Sequence, residues 1–344
     1  MQEQNIIFRY ILNISKLSMK KSALLVLLLI LFSTVSGCFY FRILTRSIDD
    51  AIFSSPDKVY NKITEPYNIK TKLSVLWVGH SSMLVQLYDK ELIFDPFFNS
   101  RIEGIFMRKV EPGIDIQNIS KLDFIFVSHS HLDHFNFFSL NYFDKKFPNV
   151  NFVFPYGLEE YLPDYNFNLL RLDNRNVNPG HPAGNSIYVD SLKITPVYAM
   201  HTGGRYIFDA YTWKTEGATG YIIQYKDICI YFAGDTGYDS SAFKKIGENF
   251  KIDLAFIPVG PCRNCDSAGM KYHTSSREAL MVFSDIKAQY MIPMHYGALE
   301  YFRDSNYPVD VLRNILGDPE SGYADLKDRV KIMKEGEQII FKQY

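Results

Sequence analysis

The chain is poor in cysteine, with four in 344 residues, and has only two tryptophans. So few cysteines exclude a small disulfide-stapled scaffold, and a chain of this length can bury a core without staples. Charge of one sign is also missing: 37 Lys and Arg stand against 38 Asp and Glu, a formal net charge of −1. That balance offers no general electrostatic footprint for nucleic acid. Internal repeats and low-complexity segments are absent, which excludes a solenoid. Long apolar runs are absent too. The run 23–32 has ten residues, about half of the ~20 that a membrane-spanning helix requires.

Histidine, by contrast, is concentrated. Three of the eight histidines fall in His129-Ser130-His131-Leu132-Asp133-His134, directly after the apolar run Phe124-Ile125-Phe126-Val127. A strand ending here releases its last residues into a turn, and alternation points His129 and His131 the same way. Asp133 and His134 are displaced by the turn, an arrangement that suits two adjacent metal ions better than one. Imidazole with carboxylate ligation favours zinc, with iron and manganese as alternatives. His201 follows 194–200, His295 follows 290–294 and Asp235 closes 228–234, each of these segments apolar and β-prone. One sheet edge can therefore present all of these donors.

With these residues in view, the chain from about Leu73 onward resembles the metallo-β-lactamase superfamily. Within it, the chain is most similar to the N-acylphosphatidylethanolamine phospholipase D group and its bacterial relatives. The His-x-His-x-Asp-His element carries the superfamily resemblance. The closer one rests on Trp77-Val78-Gly79-His80-Ser81-Ser82, Ile93-Phe94-Asp95-Pro96, Ala233-Gly234-Asp235-Thr236-Gly237, Ile257-Pro258-Val259-Gly260, His273-Thr274-Ser275-Ser276 and Pro293-Met294-His295-Tyr296-Gly297. The resemblance implies two zinc ions. His129, His131 and His201 would hold one, Asp133, His134 and His295 the other, and Asp235 would bridge them. Asp95 would support ligands without binding metal. The chain departs from the group at Thr202, where a tryptophan is usual, and across 211–218, so the ascorbate-phosphate lactonase group is a second relative.

Lys20-Lys21 precedes the ten-residue apolar run and Val35-Ser36-Gly37-Cys38 follows it. This reads as an export signal with a lipoprotein-type cleavage site, Cys38 becoming the lipidated N-terminus. The competing reading is an uncleaved anchor helix running on through Phe41. Either one tethers the enzyme to a membrane, on the exported side of a bacterial cell membrane or outer membrane. Met1 and Met19 both serve as possible starts. The expected organisation is 1–38 export signal, 39–72 tether and 73–344 hydrolase domain. Cys229 reads as a small buried hydrophobe, and Cys262 with Cys265 as a loop disulfide in an oxidising compartment.

Strands are expected at 73–79, 82–88, 91–95, 123–128, 186–190, 193–199, 219–225, 227–233, 253–258, 290–294, 329–333 and 337–342. Helices are expected at 135–147, 239–246 and 275–284, the last with Glu278 at N3 of a capping box. This order allows, and the resemblance names, an α/β metallo-β-lactamase αβ/βα sandwich: two packed mixed sheets with helices on the outer faces.

The function this implies is a zinc-dependent, membrane-tethered phosphodiesterase of phospholipase D type. A hydroxide bridging the two metals attacks phosphorus, expels the alcohol and leaves a phosphate monoester, oriented by Asp133 and Asp235. His273 is expected either to contact the phosphate or protonate the leaving oxygen, or to cap the following helix or support the ligands from behind. The substrate would be a phospholipid or another small phosphodiester. Competing readings are a lactonase or other hydrolase on the same site, and, remotely, a non-catalytic surface lipoprotein. Of the remaining candidates, His80 lines the pocket or is structural, and Arg205 pairs with a substrate anion or is solvated. His181 is a loop residue. Phe98, Ile105, Phe106, Met107 and Trp213 form an apolar entrance or part of the core.

Overall fold

The computed structural model of the protein describes residues 54–102, 106–206, 209, 217–260, 271–299 and 307–344. The export signal, the Cys262–Cys265 pair, Ile105 and Trp213 lie outside the described residues. Among the described residues no helix is long and apolar enough to cross a membrane.

The first half of the chain opens as a meander of β1 (Thr71–Gly79), β2 (Ser82–Leu87) and β3 (Lys90–Phe94), followed by a short hairpin of β4 (Arg101–Ile102) and β5 (Phe106–Met107). β6 (Phe124–Phe126), helix α1 (Phe137–Lys146), β7 (Asn151–Pro155) and β8 (Asn168–Leu172) follow. The second half contributes β9 (Ile187–Val189), β10 (Leu192–Val197), β11 (Gly220–Tyr225), β12 (Ile228–Phe232), α2 (Ser240–Asn249) and β13 (Leu254–Pro258). It ends with α3 (Ser276–Asp285), β14 (Tyr290–Met294), α4 (Tyr307–Gly317) and β15 (Gln338–Gln343). A seven-stranded sheet runs β15-β1-β2-β3-β6-β7-β8 and a six-stranded sheet runs β14-β13-β12-β11-β10-β9. Both are mixed, as the sequence leads one to expect.

Period-two alternation sorts the first sheet's side chains. Val75, Trp77, Leu92, Phe94, Phe124 and Phe126 join the core shared with the second sheet, whereas Leu76, Ile93, Ile125, Phe152 and Phe154 pack with Leu140 and Phe143 of α1. α2 and α3 cover the second sheet through Phe243, Ile246, Leu280 and Phe283. Between the sheets Phe94 stacks on Phe126 and Phe232 at ring separations of 4.9 and 4.7 Å. Each such buried ring stabilises the fold by roughly 1.5–3 kcal/mol.

Strand direction then positions the chemistry. β1 and β3 are each antiparallel to β2, and β6 is parallel to β3, so β1, β3 and β6 end on one edge. By the same reasoning β10, β12, β13 and β14 end on one edge of the second sheet. His80, Asp95 and His129 follow the first set; His201, Asp235 and His295 follow the second.

Several sequence expectations need correction. The segment 329–333 is not a strand: Val330 makes one isolated bridge to Met291 behind a 3-10 turn, and the chain then leaves the sheet. β7, β8 and α4 were not anticipated. α4 nevertheless carries Val309, Leu312 and Leu316 at helical spacing, all buried, and Pro308 in its first turn costs no intrahelical hydrogen bond. The described part of 39–72 is hydrogen-bonded to the domain before β1 begins. The amide of Asp57 donates to Lys109 O at 2.7 Å, and Lys62 Nζ lies 2.9 Å from Asp115.

Candidate metal centre

The turn after β6 is held before any ligand question arises. The His134 and Phe135 amides both donate to His131 O, at 3.1 and 2.8 Å, closing a single turn over residues 131–135. Tyr221 of β11 donates through its hydroxyl to Val127 O at 2.6 Å, tying the turn's entrance to the opposite sheet. Three strand ends reach the site through left-handed backbone, at His80 (φ 62°), Asp95 (φ 38°) and His295 (φ 65°). Such residues cost about 1–3 kcal/mol each and persist where the surroundings dictate them. At Gly234 (φ 61°) an added Cβ would lie 2.8 Å from the Cβ of Ser128.

The donors form two groups. His129 Nε2 lies 2.8 Å from His131 Nδ1, and His201 Nε2 lies 3.2 Å from that same nitrogen. Donors on one tetrahedral ion at ordinary bond lengths are about 3.3 Å apart. The second group gathers Asp133, His134 and His295 around Oδ2 of Asp133, at 3.5 Å for His134 Nε2 and 3.7 Å for His295 Nε2. Asp235 lies between them: its Oδ2 is 3.1 Å from His295 Nε2, 3.3 Å from His134 Nε2 and 4.0 Å from His201 Nε2. The other oxygen of Asp235 and His134 Nε2 are buried with no hydrogen-bond partner. Orphaned atoms of this kind, on residues whose possible ligand atoms lie within 4.8 Å of those of His129, fit a bound cation.

A model of the β-lactamase superfamily domain matches residues 90–296. The chain belongs to the metallo-β-lactamase superfamily. It is 27% identical over 295 residues to N-acyl-phosphatidylethanolamine-hydrolyzing phospholipase D 1 of Caenorhabditis elegans, covering 81% of this chain and 79% of that one. It is also 27% identical over 229 residues to a UPF0173 metal-dependent hydrolase of Caldivirga maquilingensis, covering 66% of this chain and 83% of the relative. Among solved structures, the metallo hydrolase Igni18 of Ignicoccus hospitalis shares the fold with a TM-score of 0.55 at 19% identity, over 79% of this chain and 99% of that one. The protein is thus a metal-dependent hydrolase of the metallo-β-lactamase fold.

In this metallo-β-lactamase site the outer partners orient the rings. Asp95 accepts from the Ser128 amide, the Ser128 hydroxyl and His134 Nδ1, each at 2.7 Å. His134 therefore turns Nε2 inward. Tyr272 O accepts from His201 Nδ1 at 2.9 Å, and Ser128 Oγ lies 2.9 Å from His129 Nδ1. Carbonyl and carboxylate partners of this kind set the tautomer of a ligating imidazole. Asp95 thus holds both Ser128 and His134, two residues of the histidine-rich turn.

The electrostatics divide along the same lines. Burial, together with neighbouring imidazoles, pushes His129 well below the usual histidine range and holds His131 and His201 at about 4. These rings stay neutral, with lone pairs available for a cation. Burial opposes charge on His134 and His295 as well, but the Asp235 and Asp133 carboxylates outweigh it. His134 is raised well above its ordinary value and His295 to about 9. Burial would raise the Asp133 and Asp235 carboxyls, yet the imidazoles of His134 and its neighbours hold both well below the carboxylate range.

His273 faces the cluster, with Nδ1 buried and 3.7 Å from Asp235 Oδ2. The helix-capping role falls instead to Ser275, in the expected capping box with Glu278. His80 is more engaged than the sequence reading allowed. Its Nε2 is 2.9 Å from Asp133 Oδ2, its ring lies 4.3 Å from that of His295, and its carbonyl accepts from the His295 amide at 2.9 Å. The signal for this was its position after an apolar strand, shared with the other donors. Arg205 is neither solvated nor open to a substrate anion: it is 4% exposed beneath the metal turn. His181 is exposed in the turn that begins at Asn178. Phe98 and Met107 are core residues, whereas Phe106 is exposed. Cys229 is buried in β12, with its thiol pushed up to about 12 by burial.

Proposed function

We propose that the protein is a zinc-dependent phosphodiesterase of phospholipase D type, acting on a phospholipid such as an N-acylphosphatidylethanolamine. His129, His131 and His201 would hold one ion, Asp133, His134 and His295 a second, and Asp235 would serve both. The observation that carries the reading is Asp235 Oδ2, within 3.1–4.0 Å of imidazole nitrogens from both groups, in a chain similar to a named phospholipase D over most of its length. Two divalent ions supply Lewis acidity and a water of lowered pKa, the two requirements of phosphodiester hydrolysis at neutral pH.

The chain's own groups divide the remaining work. Asp133 and Asp235 are the carboxylates that orient the attacking water and accept its hydrogen bonds. Burial holds His273 neutral, its pKa lowered to about 3. Its proposed part is to hydrogen-bond the phosphate or the leaving oxygen through a ring N–H, while the leaving oxygen takes its proton from the attacking water. The products are the alcohol and a phosphate monoester. Exposed aromatic rings at Phe138, Tyr206 and Tyr272, in segments next to the donors, suit an amphiphilic substrate. The 23–32 run and Cys38 support tethering at a bacterial membrane on its exported side, through a lipid or an anchor helix.

Thr202, in place of the usual tryptophan, counts against the phospholipid substrate and keeps the lactonase as the second reading. The discriminating experiment measures metal content and then turnover of N-acylphosphatidylethanolamine, bis(p-nitrophenyl) phosphate, lactones and β-lactams. Two zincs per chain with chelator-sensitive phosphodiester cleavage is the expected result. Turnover of lactones or β-lactams alone overturns the substrate class and keeps the centre.

A further inference from the structure

Arg205 lies outside the donor set, yet it is buried against it. Its Nη1 donates to Phe135 O at 2.8 Å and to Ser130 O at 3.3 Å. Those two carbonyls bracket the turn that carries His131, Asp133 and His134. The guanidinium sits 4.1 Å from the Phe137 ring centroid and 5.2 Å from that of Phe135. These rings exclude water and strengthen the hydrogen bonds. The backbone around Arg205 is fixed in turn: the amides of Arg205 and Tyr206 donate to the two carboxylate oxygens of Asp209 at 3.2 and 2.7 Å. Tyr161, from the first half of the chain, donates its hydroxyl to Asp209 at 2.7 Å. Four residues before Arg205 stands His201, the donor that completes the first group.

We infer that Arg205 is a positioning residue for the metal centre, locking the turn of residues 130–135 and the His201 segment into one unit. This rests on the proposed centre. The turn supplies donors to both groups, and His201 comes from the opposite sheet. Both hydrogen bonds leave one guanidinium nitrogen, Nη1, and the planar group also lies over the Phe137 and Phe135 rings. The compact, strongly hydrated point charge of lysine keeps the charge but loses that stacked placement. Without the clamp the donors would be the same, but their convergence would have to be established as the ion binds, and affinity would fall.

The test compares zinc affinity, by competition with a chromophoric chelator, for the full-length wild type, Arg205→Met and Arg205→Lys. Urea unfolding of the metal-free forms shows which variants are folded. Arg205→Met is expected to bind zinc about 10–100-fold more weakly, with Arg205→Lys between it and the wild type. At saturating zinc, KM for bis(p-nitrophenyl) phosphate should be unchanged. Asp209→Asn, which loosens the same segment from outside, should weaken zinc several-fold and keeps the idea testable if Arg205→Met does not fold. Folded variants that bind zinc within twofold of wild type overturn the inference. So does a raised KM at unchanged zinc affinity, which would mean direct substrate contact. A wild type that binds no zinc overturns the proposed centre itself, and the inference with it.

Discussion

At the scale of single residues, the site is a problem of charge. Two carboxylates and a crowd of imidazoles are buried together at the meeting edge of two sheets, and the inward nitrogens of the His129 group converge within 2.8–3.2 Å of one another. The proposed cations would resolve this by taking the lone pairs of that group and the charges of Asp133 and Asp235. Replacing Asp235 by Asn keeps the shape and removes the charge shared by both groups. Asp235→Asn, like His131→Ala, should therefore lower hydrolysis by more than about a hundredfold while the far-ultraviolet circular dichroism stays native. Near-normal turnover in a metal-verified Asp235→Asn variant would falsify the bridging role. His80 acts one step further out, by fixing Asp133. His80→Ala should weaken the second ion about tenfold and the first very little, read as biphasic zinc release in chelator titrations.

Elements decide where those residues stand. Each ligand-bearing strand was legible from its apolar, β-prone run, and the capping box of α3 from Ser275 and Glu278. The turn residues were less legible, because left-handed backbone at His80, Asp95 and His295 is imposed by the packing around them and not by their own propensities. Gly234 is the element-level test. Its added Cβ would press on Ser128, whose amide and hydroxyl are fixed by Asp95. Gly234→Ala should cost about 1–3 kcal/mol in stability and weaken metal binding, measured by denaturant unfolding and by zinc competition. Unchanged zinc affinity would show that the β12 end tolerates the shift.

At the scale of the whole molecule, the proposed centre would stitch two halves. His129, His131, Asp133 and His134 come from the first sheet's edge, and His201, Asp235 and His295 from the second. Removing metal should lower the unfolding midpoint, and restoring zinc at about a thousandfold over its Kd should return about 4 kcal/mol. Calorimetry with and without chelator checks this; identical midpoints would mean that no ion links the sheets. Glu91 gives a separate signature. Burial pushes its carboxyl from 4.5 up to about 7, with Lys121 pulling it down and Asp123 pushing it up. The folded state therefore keeps a proton that the unfolded state releases between those values. Stability from this group is full below pH 4.5 and declines as pH rises to 7. Glu91→Gln should flatten that decline by up to roughly 3 kcal/mol, seen by comparing urea unfolding of metal-free protein at pH 5 and pH 8.

The donor residues of the proposed centre and most of its scaffold were legible in the sequence. Donor types, their spacing after Val127, and strand-length apolar runs are local properties, and local properties are written in order along a chain. Tertiary structure alone decided which donors share an ion-sized space, that Arg205 serves the metal turn and not a ligand, and that His80 reaches Asp133. Those facts join residues 53 to 75 positions apart, through strand directions and buried hydrogen bonds that no local pattern encodes. The same holds for β7 and β8, short runs that become strands by pairing with β6 and with each other.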